Sequence, residues 1–138
     1  MRVFVDTNVL VYLFDADEPA KQQRARDVVS ELMRAGSLVL SAQVLSELYV
    51  TVTRKLACPL EPESALRAVA DLAVYPVVAI DAALVQRAAA RSAAEQVAYW
   101  DALILEAAVE SGADVVYSED LQHGRAYQGV STVDPFAA

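Results

Sequence analysis

Sulfur, imidazole and ammonium groups are all scarce in this chain, and each scarcity removes a class of chemistry. One cysteine, Cys58, stands among 138 residues, so neither an intramolecular disulfide nor a thiolate metal site can form. Cys58 therefore reads as a small buried hydrophobe. The single histidine, His123 in Gln122-His123-Gly124, has no sequence relation to Cys58 that would suggest a Cys–His nucleophile, and reads as a loop residue. Positive charge is short as well: 11 basic residues face 19 acidic ones, for a net charge of −8. A module that binds nucleic acid through its general surface is usually basic, so the acidity counts against a DNA-binding module but not against a metal-dependent phosphodiesterase. Any nucleic acid must be held through a bound cation or through local patches such as Lys21, Arg24 and Arg26, or Arg54 and Lys55. Taken singly, each of these patches reads first as a solvated helix end. No apolar run approaches the roughly 20 residues that cross a bilayer. The first apolar stretch carries Asp6 and lacks a small-residue cleavage site, so it is not read as a signal peptide. A soluble cytoplasmic protein without membrane contact is the expectation.

What is present is a composition 56% hydrophobic and 22% charged, too apolar for a disordered chain. A chain of this length reads as one domain over residues 1–138, burying about two-thirds of its unfolded surface. There is no internal repeat or linker, only an Ala-rich stretch from Ala82 to Ala94.

Short β-branched runs alternate with helical periods. Val3-Phe4-Val5, Leu38-Val39-Leu40, Val77-Val78-Ala79-Ile80 and Val115-Val116-Tyr117 are apolar throughout, as buried parallel strands are. Val130-Ser131-Thr132-Val133 is a weaker fifth strand, expected at an edge. Between them, Ala25, Val28, Val29, Leu32 and Met33 keep helical spacing up to Gly36. Leu45, Leu48, Tyr49 and Val52 form a second stripe behind Ser41 as N-cap. Pro62 suits a first helical position, with Leu66, Val69, Ala70 and Ala73 inward. Asp81 can cap Ala82 to Ser92, and Trp100, Leu103, Ile104, Ala107 and Ala108 form the last stripe, ending at Gly112. Here Trp100 reads as a core aromatic and Tyr99 as a surface one, neither as a stacking platform. The alternation implies a three-layer α/β/α domain with a central, mostly parallel sheet of four to five strands and right-handed crossovers.

In such sheets ligands bind beyond the carboxyl ends of the strands, where Asp6 and Asp120 fall. Alone, Asp6 reads equally as the N-cap of a helix from Val9 to Phe14, Asn8 as an Asx-turn residue, and Asp120 as a turn acid beside Glu119. Glu47 and Asp101 resist that reading, because they sit inside apolar helical stretches where an unpaired carboxylate costs several kcal/mol to desolvate. Two carboxylates about 4 Å apart repel by roughly 4 kcal/mol at an effective dielectric of 20. A converging quartet therefore needs protons or a hard divalent cation with oxygen ligands.

These motifs resemble the PIN-domain ribonucleases, and within them the VapC-type toxins of toxin–antitoxin pairs, over nearly the whole chain. Val5-Asp6-Thr7-Asn8-Val9-Leu10 is similar to the family's opening motif, and Glu47 in Ser46-Glu47-Leu48 to its second acid. Tyr99-Trp100-Asp101-Ala102-Leu103-Ile104 resembles the third motif, and Tyr117-Ser118-Glu119-Asp120-Leu121-Gln122-His123-Gly124 the fourth. The resemblance implies a Mg²⁺- or Mn²⁺-dependent endoribonuclease that leaves a 5′-phosphate and a 3′-hydroxyl. Asp6, Glu47, Asp101 and Asp120 would be both its catalytic residues and its metal ligands, supported by Asn8 and Ser118. Asp120 rather than Glu119 is expected to face the metal, since it follows Ser118 by two positions as the family's fourth acid does. The resemblance further implies an RNA substrate, a homodimer, and a cognate antitoxin whose C-terminal segment covers the site. A positive mean hydropathy is compatible with apolar surface for such contacts. The segments Val9 to Met33 and Ser41 to Leu56 are the expected surface for the antitoxin.

Two other phosphoryl-transfer classes fail on named residues. A haloacid-dehalogenase-type phosphatase wants a second Asp two positions after Asp6, where Asn8 stands. A receiver domain phosphorylated at Asp81 wants a lysine late in the chain, and the only lysines are Lys21 and Lys55. A PIN-like scaffold that binds RNA or protein without cutting is the remaining alternative.

Overall fold

The computed structural model describes residues 1–122 and 124–137, so the loop reading of His123 lies outside the described residues. The chain runs β1 (Val3–Val5), α1 (Thr7–Tyr12), α2 (Pro19–Ala35), β2 (Leu38–Ser41), α3 (Ala42–Arg54), α4 (Pro62–Leu72), β3 (Val77–Val78), α5 (Ala82–Glu95), α6 (Tyr99–Glu110), β4 (Val115–Tyr117), β5 (Ala126–Tyr127) and β6 (Val130–Val133). Every residue of β1 and β2 is buried, as the apolar runs Val3–Val5 and Leu38–Leu40 require of strands covered on both faces. The sheet order is β3-β2-β1-β4-β6-β5, parallel except for the β5–β6 pair. Right-handed crossovers put α1 to α4 on one face and α5 and α6 on the other. The packing agrees: α1 lies against α2 and α3, α3 against α4, and α5 against α6. No helix among the described residues is long and apolar enough to cross a membrane.

The sheet has six strands where four to five were expected, and Val130–Val133 is not its edge. Gln128 and Gly129 both take positive φ, 48° and 83°. Two successive left-handed residues make the tight turn whose twist suits a hairpin, and Ala126–Tyr127 folds back as the edge strand. Of the run Val77 to Ile80, only Val77–Val78 pairs.

Local signals account for most helix ends. Ser41 Oγ accepts from Val44 N at 3.3 Å and Asp81 Oδ1 from Leu84 N at 2.8 Å. Gly36, with φ 67°, ends α2 in the left-handed region that a glycine enters without penalty. Helix α1 begins at Thr7 rather than Val9, because the Asp6 side chain already accepts from Thr7 N at 2.7 Å.

Side-chain direction departs from expectation in four places. On α4 the buried stripe is Ala65 and Leu72 with Val69 beside it; Leu66 is 64% exposed, and Ala70 and Ala73 face solvent. Helix α4 packs on α3, and it is Ala65 rather than Leu66 that is buried on it. On α3 Tyr49 is exposed and the stripe is Val44, Leu48 and Val52. Trp100 is 63% exposed while Tyr99 is half-buried, the reverse of the expected pair. Helix α6 is buried continuously from Ala102 to Ala108, so its apolar residues carry no one-sided period to orient the first turn. Cys58 is exposed in the loop after α3, not a core residue.

Candidate active site

Strands β1 and β4 are neighbours, yet the chain leaves them in opposite directions across the sheet: β1 leads to β2 and β3, and β4 to β6. Ligands in open α/β sheets bind in the crevice outside such a switch point. Asp6 directly follows β1, with its N–H bonded to Tyr117 O at 2.9 Å, and Ser118 to Asp120 directly follow β4. Glu47 enters from the second turn of α3 and Asp101 from the first turn of α6. All four expected acids line one cleft of about 940 Å³. A chain distance of more than a hundred residues is closed here by strand pairing.

Asn8 joins these elements. Its Nδ2 faces Asp6 Oδ2 at 3.3 Å, Ser118 Oγ at 3.2 Å and Asp120 Oδ2 at 3.1 Å, while its Oδ1 accepts from Glu119 N at 3.0 Å. The backbone donor at Glu119 fixes which end of the amide is oxygen and so turns the NH₂ toward the carboxylates. It is therefore no local Asx turn. Ser118, 1% exposed, donates to Asp6 Oδ2 at 2.7 Å and accepts from Asp120 N at 3.1 Å and Leu121 N at 3.3 Å. Both residues expected to support the acids thus bond directly to them. Thr7, which no sequence argument assigned a role, donates from Oγ1 to Glu47 Oε1 at 2.9 Å. Its place between Asp6 and Asn8 was the available signal.

Burial pushes the Asp6 carboxyl up to about 6, and the charges of Glu47 and Asp120 push the same way, against hydrogen bonds from Ser118 and Thr7 that pull it down. Asp101 is raised by burial and then by Asp120. Among the described residues none of the four acids meets a lysine or arginine in an ion pair. Glu119 differs. Its carboxylate turns to Lys21 and to Tyr12 Oη, the latter at 2.7 Å. Burial works upward on Glu119, but these donors outweigh it and hold its carboxyl low. Asp120 faces the cleft and Glu119 does not.

The four acids share a wall rather than a point. Among the described residues no three acidic side chains stand close enough to enclose a metal ion by themselves. Hard oxygen donors, raised in proton affinity at Asp6 and Asp101 and without a lysine or arginine partner among the described residues, nevertheless fit a divalent ion of the Mg²⁺ type, which takes one or two carboxylates and keeps several waters.

The sequence profile of the PIN domain matches residues 3–128. The chain belongs to the PIN domain family. No curated protein matches it, but solved structures share its fold. The Mycobacterium tuberculosis toxin VapC20, described as cleaving the sarcin–ricin loop, is 22% identical with a TM-score of 0.63, over 86% of this chain and 89% of that one. A toxin–antitoxin complex from Klebsiella pneumoniae contains a chain 18% identical with a TM-score of 0.72, matched over 100% of both. VapBC2 from Rickettsia felis, bound to a promoter DNA fragment, contains one 16% identical with a TM-score of 0.65, over 96% and 97%. In this PIN domain the cleft is walled by α1 and α3 on one side and by the start of α6 on the other.

Proposed function

We propose that this PIN domain is a metal-dependent endoribonuclease acting as the toxin of a toxin–antitoxin pair. One observation carries the reading: four carboxylates without a basic partner among the described residues line a single cleft at the switch point of the sheet. Asp6, Glu47, Asp101 and Asp120 would hold Mg²⁺ or Mn²⁺, directly or through water. When bound, such an ion supplies a water acidified enough to attack and neutralises charge on the phosphate. Asn8 and Ser118 keep the carboxylates of Asp6 and Asp120 turned to the cleft, and Thr7 orients Glu47. Tyr12 and Lys21 hold Glu119 out of the way.

The toxin–antitoxin part of the reading is supported by the neighbours, which include toxin–antitoxin complexes. A small antitoxin protein is the proposed partner, with an arginine as the group best suited to the unpaired acids. We extend the proposal to a homodimer acting on cytoplasmic RNA. The decisive experiment incubates purified protein with structured RNA in Mg²⁺, Mn²⁺ or EDTA, beside Asp6→Asn and Asp101→Asn. Cleavage is expected only with the ion and only in the unaltered protein. Equal cutting in every sample would mean a contaminating nuclease, and no cutting of any RNA by partner-free protein would leave a binding scaffold.

A further inference from the structure

The cleft extends well beyond its acids, and its remaining wall is not acidic. Helix α3 presents Gln43, Glu47, Val50, Thr51 and Lys55 along the cleft, a single face read at helical spacing. Its character changes with distance: acid at Glu47, apolar and hydroxyl at Val50 and Thr51, cation at Lys55. From Glu47 to Lys55 is eight residues, or about 12 Å along the helix. Lys55 is the one basic residue lining the cleft, is exposed, and has no ion-pair partner among the described residues. In a protein of net charge −8, what sets Lys55 apart from the other basic residues is its place on the wall of the acid-bearing cleft.

At the other end stands Trp100. It lines the same cleft, directly precedes Asp101, and keeps 63% of its surface exposed. Its backbone is held by the buried Gln43, whose Nε2 donates to Trp100 O at 3.2 Å. Its ring is braced by half-buried Tyr99, centroids 5.0 Å apart and planes at 76°. A large aromatic fixed at its base and bare over most of its area is a stacking surface, and every nucleobase offers a π-face to one. Along α3, Glu47 lies between the level of Gln43, where Trp100 is fastened, and Lys55.

We propose that Trp100 and Lys55 are strand-holding contacts on either side of the acids: Trp100 stacks a base of the cut strand, and Lys55 pairs with a phosphate farther along. This rests on the nuclease reading and adds to it how the strand is set in register. The acids cannot do this alone, since a metal-held phosphate fixes one point of a flexible chain and not its direction. A polypeptide could also use an aromatic surface, but a cation about 12 Å beyond Glu47 along the helix, placed for a phosphate farther along the same strand, favours nucleic acid.

Trp100 is the only tryptophan in the chain, so its fluorescence reports this contact directly. The test titrates the protein with a short single-stranded oligoadenylate in Ca²⁺, following Trp100 emission and, in parallel, the anisotropy of end-labelled RNA. Cleavage is then measured in Mg²⁺ for the unaltered protein, Trp100→Ala, Trp100→Phe and Lys55→Gln. We expect emission to be quenched in step with binding. Trp100→Ala should raise KM about tenfold with kcat less affected, and Trp100→Phe should recover most of the loss. Lys55→Gln should lower the slope of log affinity against log salt by about 0.7, the value for one phosphate contact on a single strand. Both side chains are exposed, so the variants should fold, as their melting temperatures will show. Binding without quenching, or cleavage with unchanged KM in Trp100→Ala, overturns the inference and leaves the nuclease reading intact. An unaltered protein that neither binds nor cuts RNA overturns both.

Discussion

Two regions of this molecule bury carboxylates, and they solve the problem in opposite ways. Between α5 and α6, Glu106 receives Arg91 Nε at 2.6 Å and Arg87 at 3.5 Å, while Glu95 and Glu110 take the other guanidinium nitrogens at 2.7 Å each. Every acid there has an arginine. In the cleft, Asp6 is as buried as Glu106, yet its neighbours are Asn8, Ser118 and two more carboxylates. The first cluster joins two helices, since a charge-assisted pair satisfies both groups once they are out of water. The second leaves negative charge uncompensated, so the folded protein keeps an unmet affinity for protons or cations. That contrast separates a structural ion cluster from a chemical site more sharply than acid content does.

The comparison can be broken at its strongest point first. Removing Arg91 leaves buried Glu106 only the 3.5 Å pair with Arg87, so Arg91→Ala should lose about 3 kcal/mol of stability in chemical denaturation. Replacing both partners, Arg91→Met with Glu106→Leu, should restore most of it. Metal binding should change in neither variant. A small loss for Arg91→Ala would mean that the cluster is screened by solvent, and the contrast with the cleft would weaken.

Next in size is the behaviour of Asp6, where the sign is reversed. Its carboxyl sits at about 6 in the fold against an ordinary 3.8. A raised folded value stabilises the protein fully below 3.8, and that contribution is lost as pH rises through 6. Metal-free protein should therefore become less stable by about 2 kcal/mol between pH 4 and pH 7 from this group. Asp6→Asn should flatten that slope and be more stable than the unaltered protein at pH 7, while losing cleavage. Divalent-ion affinity should fall as pH drops through 6, because protons compete for the same oxygen. Thermal melts across pH with and without Mg²⁺ read both effects.

Smaller still, Asn8→Ala should weaken divalent-ion binding ten- to a hundredfold by releasing Asp6 and Asp120, with little change in melting temperature. Calorimetric titration with Mn²⁺ measures it. Least of all, Glu119→Gln removes a partly exposed pair with Lys21 and should cost under about 1 kcal/mol. It should leave metal affinity unchanged. A loss matching that of Asp120→Asn would move Glu119 into the site.

Much of this was readable from local pattern. Val3–Val5, Leu38–Leu40 and Val115–Tyr117 are apolar without interruption, and both faces of the sheet are covered. Ser41, Asp81, Pro62 and Gly36 act within one turn of themselves, so their neighbours in sequence suffice to place them. The misread cases share a different cause. Whether Tyr99 or Trp100 turns inward depends on a helix buried on every side, and whether Leu66 or Ala65 does depends on the approach of α3. The β5 edge strand rests on a Gln-Gly turn, whose first residue carries no strong left-handed preference.

The order of elements and the placing of acids after Val5 and beyond Tyr117 belong to the sequence itself. Apolar runs of strand length must be covered, and covering them in a β–α alternation brings their carboxyl ends to one side. Which carboxylates stay unpaired there was decided only in three dimensions. Glu119 and Asp120 are adjacent and nearly equivalent in sequence, and it is Lys21, 98 positions away, that takes one and leaves the other to Asn8. Electrostatic interaction depends on separation in space and on exclusion of water, and neither quantity exists until the sheet has closed.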